Sequence, residues 1–264
     1  MGKHLGQHFL TSPVIARRIV DVANILPNDI VLEVGPGKGM LTQFLVEKAK
    51  LVIAVEKDKQ LVQYLREKFK DTKNLKIVYG DILKIPLNPP FSKGELLPLK
   101  KGGWEGFFDS NFKIVANLPY YITSHFLRLF LETNELRPQS MTLMVQKEVA
   151  ERICAKPPHM NMLALSVQTF GVPKIIFKVS KNNFAPPPEV DSAVIAIENI
   201  SDVFFKKHNI SPQQFFKLPK KAFSQKRKML RSSLKLTRHR VSSQFEMIRP
   251  QELSLEDWAF LCPD

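Results

Sequence analysis

Between residues 30 and 146 short apolar runs alternate with amphipathic helical patterns, and this rhythm leaves the chain few architectures. The runs 30–34, 51–55, 75–79, 112–116 and 141–146 read as strands dominated by Val, Ile, Leu and other apolar residues. The stretches 40–50, 59–69 and 124–132 place apolar residues at helical spacing between them. Strands separated by helices of this length are joined by crossovers, so the pattern implies an α/β domain on a mostly parallel sheet. Upstream, Ser12-Pro13 is a helix start: a capping side chain precedes proline at the first helical position, and Ile15, Ile19, Val22 and Leu26 recur on one face. Two more strand candidates, 175–179 and 193–197, flank the rigid segment Phe184-Ala185-Pro186-Pro187-Pro188.

The rhythm breaks twice. Residues 86–111 hold four prolines and four glycines, and connections this long are uncommon in compact domains, so the stretch is expected to be a flexible insert. From about residue 201 the chain turns basic and helical, which places a boundary between a domain of residues 1–200 and a smaller one of residues 201–264. The net charge is +14, and between residues 203 and 245 there are twelve Lys or Arg and no Asp or Glu, so nearly all the excess is local. Such a block implies a polyanionic partner, nucleic acid or an anionic membrane surface. Cys154 and Cys262 fit neither a disulfide framework nor a zinc spacing and read as free thiols of a reducing compartment. No signal-peptide core and no run of eighteen apolar residues is present, so the chain is expected to be cytoplasmic with no membrane span. No His or Cys is placed as a metal ligand, so no metal is expected, and the chain is expected to be a monomer.

Candidate site residues stand at consecutive strand ends. Glu33-Val34-Gly35-Pro36-Gly37-Lys38-Gly39 carries a strand into a glycine-rich turn and then a helix, the place where open α/β sheets bind small molecules. The glycines read G-x-G-x-G, and Met40 stands where a dinucleotide fingerprint has its third glycine. Glu56, ending the second strand, can accept hydrogen bonds from both hydroxyls of a ribose, and Asp81, ending the third, from an adenine amine. Asn117-Leu118-Pro119-Tyr120 ends the fourth: an amide oxygen and a backbone carbonyl to accept both hydrogens of an exocyclic amine, with an aromatic face to stack on the base. Taken as a helix, residues 219–236 put Ala222, Phe223, Met229, Leu230 and Leu234 on one arc and Lys220, Lys221, Lys228, Arg231 and Lys235 on the other, with Lys226 snorkelling from the apolar side.

Six ordered motifs make the chain similar to the rRNA adenine N6-dimethyltransferase family. They are Gln7-His8-Phe9-Leu10, the turn from Glu33 to Gly39, Glu56, Gly80-Asp81-Ile82-Leu83, Asn117-Leu118-Pro119-Tyr120, and the pair formed by the segment from Phe184 to Ser192 with Phe223-Ser224-Gln225-Lys226-Arg227 and Arg231. The resemblance implies a Rossmann-like class I methyltransferase sheet with a small basic α-helical C-terminal domain, and S-adenosylmethionine as methyl donor. It puts the donor pocket on His8, Leu10, Gly35, Gly37, Glu56, Asp81 and Asn117; His8 and Leu10 come from the resemblance alone. It implies as substrate two adjacent adenines near the 3′ end of small-subunit (16S) rRNA, methylated during ribosome biogenesis. The expected catalytic set is Asn117, Leu118, Tyr120 and Phe184, with Phe184 as a second contact to the base, and no residue is placed for covalent catalysis. Two alternatives share part of this pattern: a large-subunit rRNA methyltransferase of the macrolide-resistance type, against which the basic C-terminal motif and the long segment 184–192 argue, and a non-catalytic ribosome-assembly factor.

Overall fold

The computed structural model describes residues 8–84, 112–132, 137–234, 245 and 247–262. The expected insert 86–111 and Lys235 lie outside the described residues.

Among the described residues nine strands run in chain order: β1 (Phe9–Leu10), β2 (Ile30–Val34), β3 (Leu51–Glu56), β4 (Leu75–Tyr79), β5 (Phe112–Asn117), β6 (Ser140–Gln146), β7 (Val172–Val179), β8 (Phe184–Ala185) and β9 (Ser192–Glu198). Seven form one sheet of order β4-β3-β2-β5-β6-β9-β7. The β2–β6 block is parallel throughout, and β9 runs antiparallel to both of its neighbours. The period of two along each strand sorts the core. Val31, Val52, Val115, Met144 and Val194 face one side with the helices Pro13–Val22 and Thr42–Lys48. Leu32, Ile53, Ile114, Leu143 and Ile195 face the other with the helices Thr123–Glu132, Lys147–Ile153 and Met162–Gln168.

Local chemistry sets where the helices begin. Ser12 caps the first through Ile15 N–H, and Asp58 Oδ1 accepts from Gln60 and Leu61 N–H at the start of helix Lys59–Lys68. Asn161 Oδ1 accepts from Leu163 and Ala164 at the start of Met162–Gln168. The expected β2, β4 and most of the remaining parallel strands appear within a residue of their predicted ends. Three differences stand out, and the first two have local causes. The first helix stops at Val22, so Leu26 lies beyond it and is 55% exposed, while Ala16, Val20 and Ala23 join Ile19 in the core. The second helix starts at Thr42 because the glycine turn consumes the preceding residues. β1 and β8, antiparallel with Phe9 opposite Ala185 and Leu10 opposite Phe184, were not anticipated.

The expected single helix over residues 219–236 is corrected. Helix Pro212–Phe223 starts at a Ser211 capping box with Gln214, which puts Pro219 in its interior rather than at its head. Proline cannot donate to the carbonyl four residues back, and the Cys262 thiol meets that freed Phe215 oxygen at 3.9 Å. After Phe223 the chain turns: Ser224 Oγ donates to Lys221 O at 2.7 Å, and six residues, 224–229, separate Phe223 from helix Leu230–Leu234. Ala222, Leu230 and Leu234 are buried as expected, but Met229 is exposed and Lys226 stands in the turn, with no apolar arc to escape from. Helices Val203–His208 and Leu255–Leu261 complete this part, whose Phe205, Phe215, Phe216 and fully buried Trp258 share one apolar cluster with the sheet.

Candidate active site

The carboxyl ends of β2, β3 and β5, with the loop after β4, open onto a cavity of about 650 Å³, within the range that holds a small-molecule ligand. β2 enters the glycine turn with Gly35 at φ +65° and Gly37 at φ +58°, a region open to glycine and strained for other residues. At Gly37 space also decides: a Cβ there would stand 2.9 Å from the Phe9 ring, which covers the turn.

Glu56, at the end of β3, is 5% exposed. Its Oε1 accepts from the Lys57 and Asp58 N–H groups at 2.8 and 2.9 Å, and its Oε2 from Gly37 N–H at 3.1 Å. Three backbone donors therefore fix the carboxylate against the glycine turn, on the cavity wall where a diol could be held. Asp81 also lines the cavity, but not as a bare carboxylate. Lys57 Nζ stands 3.0 Å from its Oδ2 and Leu83 N–H donates to Oδ1. Burial raises the Asp81 pKa, and these donors outweigh it and hold the carboxyl below the usual range.

β5 ends in Asn117, and Leu118 N–H donates to Met144 O at 3.1 Å, tying the following loop to β6. Among the described residues the Asn117 amide has no hydrogen-bond partner, so its oxygen is open to a donor from the cavity it lines. Tyr120 begins the short 3-10 turn Tyr120–Ile122, half-buried, its hydroxyl 2.9 Å from Ser192 Oγ. The His8 ring lies 6.2 Å from the Tyr120 ring with 26° between their planes, and His8 Nδ1 is 2.8 Å from Pro186 O. Leu10 and Phe184, paired across β1 and β8, are 6% and 4% exposed and line the same cavity. All the residues expected around the donor and the base, from His8 to Phe184, thus border one cavity.

Glu33, Lys57 and Ser192 were not assigned roles from sequence. Glu33 is 1% exposed, borders the cavity and accepts from Thr42 Oγ1 at 2.7 Å. Burial pushes its pKa up to about 8, with the Glu56 charge adding and the Thr42 hydrogen bond opposing. A signal for Glu33 existed, since an acid inside an otherwise apolar strand cannot point to solvent on either face. Cys154 and Cys262 are free thiols, half-buried, and burial raises both pKa values, away from nucleophile chemistry.

Lys220, Lys221, Lys228 and Arg231 are exposed, distributed over a helix end, a turn and the next helix. Lys221 Nζ donates to Leu234 O at 3.0 Å and so ties the two helices together.

The residues present fit S-adenosylmethionine. The positive-φ glycines give backbone access, Glu56 offers a fixed acceptor for ribose hydroxyls, and Asp81 an acceptor beside Lys57. Comparison with known proteins agrees. The profile of the family described as ribosomal RNA adenine dimethylase matches residues 1–253. Ribosomal RNA small subunit methyltransferase A of Dehalococcoides mccartyi is 40% identical over 98% of this chain and 87% of its own. Among solved structures, a dimethyladenosine transferase from Plasmodium falciparum superposes with TM-score 0.75 at 25% identity, covering 96% of each chain. The 23S rRNA methyltransferase ErmE, at 24% identity, TM-score 0.68 and coverage of 96% and 99%, shares the fold. A profile match over residues 1–253 and a relative 40% identical over nearly the whole chain, on a methyltransferase sheet, place it in one family: the chain belongs to the ribosomal RNA adenine dimethylase family.

Proposed function

We propose that this S-adenosylmethionine-dependent enzyme dimethylates the N6 amines of two adjacent adenines near the 3′ end of small-subunit (16S) rRNA during ribosome biogenesis. It would act in the cytoplasm as a monomer, without a metal and without a membrane. Among the described residues no helix is long and apolar enough to cross a membrane. One observation supports the reading most: the open Asn117 amide shares a cavity with the Glu56 carboxylate and the Tyr120 ring.

The N6 lone pair of adenine is delocalised into the ring, which makes the amine a poor nucleophile. Asn117 Oδ1 and the Leu118 carbonyl accept its two hydrogens, draw the nitrogen toward tetrahedral geometry and stabilise the positive charge it gains. Bound S-adenosylmethionine supplies an electrophilic methyl group on a sulfonium sulfur. Tyr120 stacks on the base, a contact worth about 1–3 kcal/mol, with Phe184 as the second apolar wall. The methylated nitrogen is acidic enough to lose its proton to water, so no side chain is needed as a strong base. The base reaches this cavity only when turned out of its stack, and Glu56, Asp81 and the glycine turn orient the donor against it.

Lys220, Lys221, Lys228, Arg231 and Lys235 are assigned to the rRNA backbone, residues 201–264 acting as the RNA-holding part. With about six phosphates contacted, affinity for the subunit falls by roughly three orders of magnitude or more between 50 and 200 mM salt. Filter binding across that range checks it, and a flat profile would remove the cationic region from the interface.

Transfer of labelled methyl to small subunits lacking the modification, with large subunits as control and mapping of the labelled nucleotides, tests the whole reading. Label on two adjacent adenines of the small subunit alone is expected. Label on large subunits would reassign the substrate, a possibility that the basic C-terminal motif argues against. Absence of label with binding intact would leave an assembly factor.

A further inference from the structure

We propose that Ser192 is a positioning residue of the methyl-transfer site: its hydroxyl, presented from β9, holds the Tyr120 ring at the orientation in which it meets the target adenine. The inference rests on the reading of Tyr120 as the stacking platform. Ser192 is fully buried in an inner strand of the sheet, opposite Gln146 on β6 and Val179 on β7. Its Oγ lies 2.9 Å from the Tyr120 hydroxyl across 72 residues of sequence. The backbone just before Tyr120 is anchored separately, through Leu118 N–H on Met144 O of β6. The ring is thus held at both ends, its root by β6 and its tip by β9.

Stacking on a base uses the face of a ring, which phenylalanine offers as well as tyrosine. The hydroxyl is therefore available for another use, and among the described residues the hydrogen-bond partner it has is Ser192, too deeply buried to serve solvent. A second contact restrains the same ring: His8 lies near-parallel to it at 6.2 Å and is itself held by its 2.8 Å contact with Pro186 O. The arrangement draws on the N-terminal segment, the loop after β5, the proline segment and β9. Fixing a reacting partner in a near-attack geometry accelerates transfer without any new contact to the donor. Without the hydroxyl bond the ring samples other rotamers, and only the fraction in the productive one supports transfer. Ser192 touches neither donor nor adenine in this scheme; it acts through Tyr120.

The test is a double-mutant cycle on small subunits, reading kcat, KM and S-adenosylmethionine affinity for the wild type, Ser192→Ala, Tyr120→Phe, the double variant and Tyr120→Ala. One hydrogen bond corresponds to roughly a three- to tenfold change in rate, so each of the first two variants loses kcat by about that factor. Donor affinity stays at the wild-type value, and the double variant is no slower than either single one, since both remove the same bond. Losses that multiply, or a Ser192→Ala loss without any in Tyr120→Phe, would show that Ser192 acts only on the strand and overturn the proposal. Should Ser192→Ala fail to fold, Tyr120→Phe removes the bond from the other side, and its wild-type kcat would overturn the proposal equally. Tyr120→Ala separates the two levels. If it retains wild-type kcat the stacking reading itself falls, whereas a large loss there with none in Tyr120→Phe and Ser192→Ala removes only the role of Ser192.

Discussion

Asn117→Ala is expected to lower the rate of methyl transfer by about 10²- to 10³-fold, the loss found when a preorganised polar group facing transition-state charge is deleted. The loss reflects differential binding of the transition state. In the ground state the adenine amine is nearly neutral and an acceptor beside it is worth little; as the nitrogen gains positive charge, the Asn117 oxygen is worth far more inside a cavity than in water. Because the amide carries no internal hydrogen bond among the described residues, deleting it strands no partner in the fold, and stability should change little. Donor affinity should shift far less than the rate, since the Glu56 carboxylate, its three backbone donors and the glycine turn are untouched. Single-turnover methylation of unmodified small subunits beside calorimetric titration with S-adenosylmethionine checks both parts. Asn117→Asp keeps an acceptor in place and is expected to retain more activity than Asn117→Ala. Equal rates in wild type and Asn117→Ala would move the chemistry away from the end of β5.

How far the sequence shows this site depends on how local each contact is. Glu56, Asp81 and Asn117 were readable because apolar runs with sharp ends mark where parallel strands stop, and ligands of α/β sheets gather there. The glycine turn was readable for the same reason, and its glycines permit the positive φ angles the turn adopts. His8 and Leu10 were not readable from residue physics. A two-residue strand has no period, and its partners Phe184 and Ala185 lie far along the chain. The Tyr120–Ser192 bond is hidden in the same way by sequence distance. Lys57 carries no sequence signal of its own: a lysine after a strand end is usually solvated, and this one is largely exposed while also standing 3.0 Å from Asp81. The basic region shows the reverse failure: residues 219–236 carry a helical pattern that is real on both sides of a break at Ser224, and averaging over eighteen residues concealed the turn. What survives is the exposure of Lys220, Lys221, Lys228 and Arg231, which depends on charge more than on helix continuity.

Glu33→Gln is expected to change the pH dependence of stability more than any other single substitution at the site. Glu33 ionises near pH 4.5 when exposed, and in the fold burial pushes it up to about 8. Between those values the folded chain holds a proton that the unfolded chain has released. Stability from this group is therefore complete below pH 4.5, declines as pH rises, and levels off above about 8, a total on the order of 5 kcal/mol. Glutamine presents the same carbonyl oxygen to the Thr42 hydroxyl, which donates to Glu33 Oε2, and cannot titrate. The variant should match the wild type near pH 4.5 and exceed it by an increasing margin toward pH 8.5. Urea unfolding of both proteins at several pH values reads the margin, because titrations of groups remote from Glu33 cancel in the difference. A margin independent of pH would mean that Glu33 is ionised in the fold throughout the range, leaving the Thr42 hydroxyl and the turn to support a buried negative charge.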